Sequence, residues 1–535
     1  MYKFIVKWTH DVSVENEMKN WKKYLKPEYQ HENHAAPVSR RDFLARGLMA
    51  SLGAVMAPSI ESILSRRLLY GQELNCPTYA SSPSPMIPFL QLDHAGGAAF
   101  GGDFICGAQG GQLDLLTASG NSTDYENFGY PSDLHPSNLT PDTTFGVAFH
   151  ANSPFLMGLK AALPSQYWNS VDGGIVASAT DSDTQANPLG MLQYVPLVDR
   201  YGTVVPAVGT TLKGSGGNNT LAPDPIGGYS ALSRPSKVSN ATEALELTGY
   251  IDLITSFGEP IAQRVLQAIG KLNSSQLSSF KNMNISDQLK ELQECGYLRA
   301  TDLAFSVPPE ELFNANEAEL LDSFGAGFNA SSHTRALAPI SYLLSKGYVG
   351  GGCVSVGGFD NHVGNSKDPN AIRYRAGFSV GLAIKYFASK EMPLFIAGLT
   401  DGYMGVKRVG GILQVDNTEA SGPVNTLDYQ PGGLGTASRP GDSNLVGCQW
   451  FLAYVPGKSR GDLIENSGRQ IGAFSNKGVV LNYLQTANAP GKAAQAIFYQ
   501  YLLLQGLESK MNLVLGSNHF LNAPEYKVLK KAWNV

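Results

Sequence analysis

Apolar and polar positions divide this chain into zones of different character. Apolar runs of strand length occur at Ile87–Leu92, Gly174–Thr180, Gly352–Val356, Pro393–Leu399 and Gln449–Val455. Gly, Pro, Ser, Asn and Asp, the residues that make turns, cluster between them. Across 371–390 and 491–508 the apolar positions recur instead with a helical period. Strands that are apolar on both sides and alternate with helices predict a mostly parallel sheet covered on both faces. From Ala241 to about Ser345 the period is helical throughout. Leu245, Leu247, Ile251, Leu253 and Ile254 form a broad apolar face, followed by Ile261, Val265, Leu266 and Ile269. Ser306-Val307-Pro308-Pro309-Glu310-Glu311 has the prolines and acids of a first helical turn. This block, about 240–345, predicts a helical insertion lying over the sheet. The stretches Asn121–Thr144 and 200–240 are polar and aperiodic, and read as loops.

The first 75 residues read as a leader and linker, and residues 76–535 as one α/β domain. Ser39-Arg40-Arg41-Asp42-Phe43-Leu44 matches the S-R-R-x-F-L core of a twin-arginine export signal. Ser39, Arg40, Arg41, Phe43 and Leu44 are its signal residues. The apolar segment behind it, Gly47 to Ala57, is rich in Gly and Ala and too short to cross a bilayer, which suits an export signal. The expectation is a periplasmic or secreted protein that meets the twin-arginine translocase during export.

Composition narrows the classes further. The 535 residues are 43% hydrophobic and 16% charged, enough for a large core. A net charge of −5, with no basic stripe interleaved with aromatics, excludes nucleic acid as the main partner. No other apolar run approaches bilayer length, so no stable membrane span is expected. The five cysteines, Cys76, Cys106, Cys295, Cys353 and Cys448, form no C-x-x-C pair, which argues against a structural zinc site. One or two disulfides are compatible with export, but the spacing gives no connectivity.

Candidate chemistry gathers at predicted strand ends, where open α/β sheets collect their ligands. Gly357-Gly358-Phe359-Asp360-Asn361-His362 follows the strand ending at Val356. If the chain stays extended, Asp360 and His362 point to one side, and a carboxylate with an imidazole can hold a divalent cation. The alternative is a polar turn in which Asp360 caps the next helix. Asp93 and His94 end the first strand; neighbours on a strand face opposite ways, so one of the two at most is a ligand. Asp401 and Asp442 supply further carboxylates in strand-end loops. Acidic loops of this kind assemble dinuclear metal sites, although each acid alone is also an ordinary turn residue. The expected cofactors are one or two divalent ions (zinc, manganese or iron), or none. Two letter matches fail. Gly377-Phe378-Ser379-Val380-Gly381 spells a nucleophile elbow, but Arg373, Tyr374 and Arg375 suit no buried strand, and the segment reads as helix from Ala371 to Lys390. Gly457-Lys458-Ser459 lacks the first glycine of a P-loop, where Leu452 stands.

Together these pieces resemble an uncharacterised family of twin-arginine-exported bacterial proteins grouped with the alkaline phosphatase and sulfatase superfamily. The matching segments are Ser39–Leu44, Ala95-Gly96-Gly97, Phe149–Leu156, the strand at 174–180, Gly357–His362, Thr400–Gly405 and Gly441–Asn444, in the family's order. The resemblance implies an alkaline-phosphatase-like, doubly wound, mostly parallel sheet flanked by helices. It also implies two divalent metals flanking a Ser or Thr that attacks a phosphate or sulfate ester. Asp360 and His362 carry over as ligand positions. Other positions depart. Ala98-Ala99 stands where relatives place the hydroxyl, Asp401 where they have Glu, and Ser443 where they have His; the sulfatase C-x-P-x-R signature is absent. No catalytic residue is therefore assigned. The sequence reads as an exported binding or assembly protein on this fold with an eroded catalytic site. The alternative is a metal-dependent periplasmic hydrolase of phosphate or sulfate esters using Asp360, His362, Asp401, Asp442 and Asp93.

Overall fold

A computed structural model describes residues 86–94, 98, 100–114, 136, 139–178, 191–198, 205–210, 236–240, 243–244, 324–325, 332–357, 359, 369–400, 404–406, 438–442, 448–475 and 479–533. The leader with its five signal residues lies outside them, as does most of the 240–345 block. Among the described residues, no helix is long and apolar enough to cross a membrane.

The centre is an eight-stranded sheet of β1 (Phe89–His94), β4 (Val171–Ala177), β5 (Val205–Gly209), β6 (Ser236–Lys237), β7 (Val349–Val356), β8 (Leu394–Leu399), β11 (Cys448–Tyr454) and β12 (Gln470–Ile471). Its spatial order is β12-β4-β11-β8-β1-β7-β5-β6. Seven strands run one way; β11 alone runs against both its neighbours, β4 and β8. Two small ladders stand apart: β2 (Asp142–Phe145) with β3 (Val147–Phe149), and β9 (Met404–Val406) with β10 (Ser438–Asp442). The mixed, mostly parallel α/β arrangement agrees with the pattern of unbroken apolar runs. Boundaries differ modestly: β1 runs on through Asp93 and His94, and β4 begins at Val171.

Both faces of the sheet are covered. One core packs β1, β7, β8 and β11 against α1 (Pro154–Ala162), α2 (Ser332–Ser345) and α3 (Pro369–Ser389). The other packs their opposite side chains against α4 (Pro490–Gln505) and the short helical segment at 191–198. Alternation along β1 shows the split: Leu90 and Leu92 enter the first core, Phe89 the second. α2 is a finding of its own. It ends the stretch expected to form an insertion, yet Ala336 to Leu344 are buried in the layer over β7. The core therefore reclaims the chain by Ser332.

α1 and α3 cross very closely. A Cβ at Gly158 would lie 2.0 Å from the Tyr374 carbonyl oxygen, and one at Gly377 1.9 Å from the Phe155 carbonyl oxygen. Gly377 and Gly381 thus serve a helix crossing, and Ser379 between them is buried in mid-helix. α1 starts at Ser153, whose hydroxyl accepts from the Leu156 amide at 3.1 Å, followed by Pro154 in the first turn. α4 ends on Gly506 at φ 66°, the left-handed cap that glycine adopts without strain.

With few charges available, several buried hydrogen bonds of the interior run through glutamine amides. Gln91 accepts from the Met191 amide at 3.0 Å. Gln500 donates to the Tyr526 carbonyl and accepts from the Val528 and Leu529 amides. Each such side chain carries donors and acceptors together, so it can replace ladder partners without burying a charge.

Candidate functional site

The carboxyl ends of β8, β1 and β7 lie side by side, with Asp93 opposite Leu399 on one flank and Ser355 on the other. β11 runs the other way, so its first residues, Cys448 and Gln449, arrive at this same rim. The rim is tied by neutral hydrogen bonds. The Thr400 amide donates to Gln449 Oε1 at 2.8 Å, and Gln449 Nε2 donates back to the Thr400 carbonyl at 3.0 Å. The Thr400 hydroxyl donates to the His94 carbonyl at 2.9 Å and accepts from the Ala98 amide at 2.8 Å. Thr210 similarly accepts from the Ser355 amide at 2.7 Å.

Asp93 and His94 are both fully buried, and they leave opposite faces of β1. His94 lies in the aromatic core. Its ring meets Phe100 edge-on at 4.8 Å and Phe359 at 5.0 Å, with Trp450 at 5.9 Å; its Nδ1 is 3.2 Å from the Leu399 carbonyl oxygen. Phe359, the residue before Asp360, thus packs its ring on His94 at the end of β1. Asp360, His362 and Asp401 themselves lie outside the described residues. Asp442 ends β10, where its backbone pairs with Met404, three residues past Asp401. It is thus on a separate ladder from the sheet that carries Asp93.

Asp93 is the one predicted ligand whose side chain is described, and among the described residues no three His, Cys, Asp or Glu side chains are arranged to hold a metal ion. No chemical step through a metal follows from this geometry. Nor is a nucleophile present at Ala98, whose side chain is buried and apolar.

A charged cluster that the sequence pattern did not single out lies just below the rim. Asp103 is fully buried; its Oδ1 accepts from the Ser153 hydroxyl at 2.7 Å and the Phe155 amide at 3.3 Å, and its Oδ2 from Arg373 Nη1 at 3.1 Å. Arg373 is itself only 3% exposed. Burial pushes the Asp103 carboxyl above its ordinary range, while Arg373, Ser153 and the Phe155 amide pull the other way. Ser153, in the Phe149–Leu156 stretch, thus caps α1 and fastens it to Asp103. A second, half-buried pair joins β4 to the approach of β12: Arg469 Nε and Nη2 donate to the two oxygens of buried Asp172 at 2.7 and 2.9 Å. Both pairs link segments hundreds of residues apart, which periodicity does not reveal. A visible signal existed for the first, since two arginines stand beside Tyr374 in a helix otherwise rich in apolar residues.

No family model, curated protein or solved structure matches this chain.

Proposed function

We propose that this is an exported binding or assembly protein built on an alkaline-phosphatase-like scaffold whose ester-hydrolysing site has eroded. The observation that carries this reading is the filling of the strand-end rim. Where a hydrolase of this type needs a hydroxyl nucleophile facing its metals, Ala98 is buried and His94 is wedged among Phe100, Phe359 and Trp450. A ring packed on three aromatic neighbours contributes stability and gives up freedom to coordinate. The sheet covered on both faces, with the candidate segments leaving adjacent strand ends, agrees with the scaffold that the family resemblance implies. A retained scaffold with altered site residues is compatible with a non-catalytic role.

A metal-dependent hydrolase of phosphate or sulfate esters is the second reading. It is favoured by the β9–β10 ladder, which pairs Asp442 with Met404, three residues after Asp401 in sequence. Elemental analysis of protein purified without chelators, paired with assays on aryl phosphate and aryl sulfate, separates the two. The first reading expects no stoichiometric metal and no turnover. Two equivalents of zinc, manganese or iron, with turnover that Asp360→Ala abolishes, would replace it with the second.

A further inference from the structure

Met511 and Tyr526 are both buried in the core that faces α4, and the chain between them makes an excursion from it. Within that excursion, 512–525, the buried side chains are those of His519 and Leu521; Val514, Leu515, Phe520 and Ala523 are partly exposed. Its backbone bonds are local. The Gly516 amide donates to the Asn512 carbonyl at 2.9 Å, the Asn522 amide to the His519 carbonyl at 3.2 Å and the Ala523 amide to the Phe520 carbonyl at 3.3 Å. The chain that follows is held differently. Gln500 of α4 accepts from the Val528 and Leu529 amides, and the Ala532 and Trp533 amides both donate to the Leu504 carbonyl at 3.1 Å. Residues 512–525 are therefore seated on the body by side chains, and His519 is one of the two that go fully in.

His519 is an unusual anchor. Its ring meets Tyr499 of α4 edge-on at 5.9 Å, the residue is 8% exposed, and neither ring nitrogen has a hydrogen-bond partner among the described residues. A neutral imidazole carries one donor and one acceptor, and here both go unused. Protonation would turn both nitrogens into donors and place an unpaired charge out of reach of water. Burial accordingly holds the His519 imidazole below its ordinary value. Around it, α4 contributes Tyr499 and Lys492, whose ammonium stands over the neighbouring Phe520 ring at 5.6 Å. Glu508 and Lys510 lie on the turn before the excursion and Glu525 at its end, while the 191–198 segment beside residues 512–515 brings Tyr194 and no charged residue.

We propose that His519 is an acid-sensitive latch: taking up a proton releases the 512–525 excursion from α4, and losing it lets the segment seat again. The cheapest way to hydrate the imidazolium is to swing the ring out, and Phe520 and Leu521 follow it along the chain. Release uncovers Tyr499, which is 2% exposed when the segment is seated. The sign follows from linkage. A released histidine titrates at about 6.5 and the seated one lower, so seating is fully supported above that value and weakens as pH falls below it. One proton is taken up per release, so the seating equilibrium falls by about tenfold per pH unit until the seated ring is itself protonated.

Hydrogen exchange of the full chain at pH 7.5 and 5.5, corrected for the intrinsic pH dependence of amide exchange and read by mass spectrometry, measures the seating. Peptides from 512–525 should show about tenfold less protection at pH 5.5, with peptides from 526–533 unchanged. His519→Gln keeps every other titratable group and should abolish the difference. His519→Leu, which asks for no hydrogen bond, should abolish it too and raise protection at pH 7.5 above the parent's. Equal protection at the two pH values in the parent would overturn the proposal. So would a pH response that survives in either variant, since it would belong to Glu508, Glu525 or another group. Protection lost along the whole chain at pH 5.5 would overturn it as well, marking general acid unfolding in place of a local release.

Discussion

Arg373 Nη1 donates to Asp103 Oδ2 at 3.1 Å across a sequence separation of 270 residues, and both side chains are almost wholly inside the protein. The pair joins α3 to the loop after β1, and the same carboxylate fastens the cap of α1. Removing one partner leaves an uncompensated buried charge. Arg373→Met should therefore cost about 3–5 kcal/mol in urea denaturation, and Asp103→Leu combined with Arg373→Met should cost less than the sum of the single changes. Additive costs would contradict a coupled pair.

The raised Asp103 carboxyl also sets a sign for pH dependence. Its native pKa lies above its unfolded one, so in the window between them the folded chain holds a proton that the unfolded chain has released. Through this group, stability falls as pH rises from the ordinary carboxyl range to the native value. Asp103→Asn removes that component. Unfolding free energy measured at several pH values should then fall less steeply over that window than in the parent.

At the α1–α3 crossing, alanine should act against its usual helix preference. In an exposed helix Gly→Ala stabilises by about 1 kcal/mol. At Gly377 the added methyl would lie 1.9 Å from the Phe155 carbonyl oxygen. Gly377→Ala and Gly158→Ala should each destabilise by about 1–3 kcal/mol or more. Thermal unfolding measures this, and a rise in Tm at either position would contradict the close crossing.

Thr400, just past β8, joins the end of β1 and the Ala98 segment through one hydroxyl. Thr400→Val keeps the shape but strands the His94 carbonyl and the Ala98 amide, both buried. The expected cost is about 1–3 kcal/mol, with faster hydrogen exchange at the Ala98 amide than in the parent chain. Unchanged exchange would show that the hydroxyl does not hold that segment.

Export is tested by a reporter fused behind residue 75. Changing Arg40 and Arg41 together to Lys should stop its transport by the twin-arginine route. Undiminished transport would reject the signal.

Much of the sheet could be read in advance, for a physical reason. Strands buried on both faces must be apolar along their whole length, and Leu394–Leu399 and Cys448–Tyr454 announce themselves that way. Strand direction has no such imprint. Nothing in Cys448–Tyr454 distinguishes a strand that runs against its neighbours, because direction is set by where the chain arrives. The opposite faces of Asp93 and His94 followed from alternation alone. The burial of Arg373 did not, since its partner is remote and an arginine pattern ordinarily marks solvent. Of the predicted ligands, Asp360, His362 and Asp401 fall outside the described residues, and the aromatic enclosure of His94 depends on rings from three separate segments that no local pattern connects.

The reversal of β11 has a topological consequence. β8 leaves the sheet and β11 enters it at the same edge, and the amide of Thr400 is already bonded to the side chain of Gln449. Everything the chain does between these two residues is a detour that returns to its point of departure. Lengthening or replacing such a detour leaves the pairing of the eight-stranded sheet as it is, and doubling the length of a loop costs only about 0.6 kcal/mol in closure entropy. The stretch from Asp401 to Gly447 is therefore a natural cassette, a place where one scaffold can acquire new recognition while its frame stays as it was.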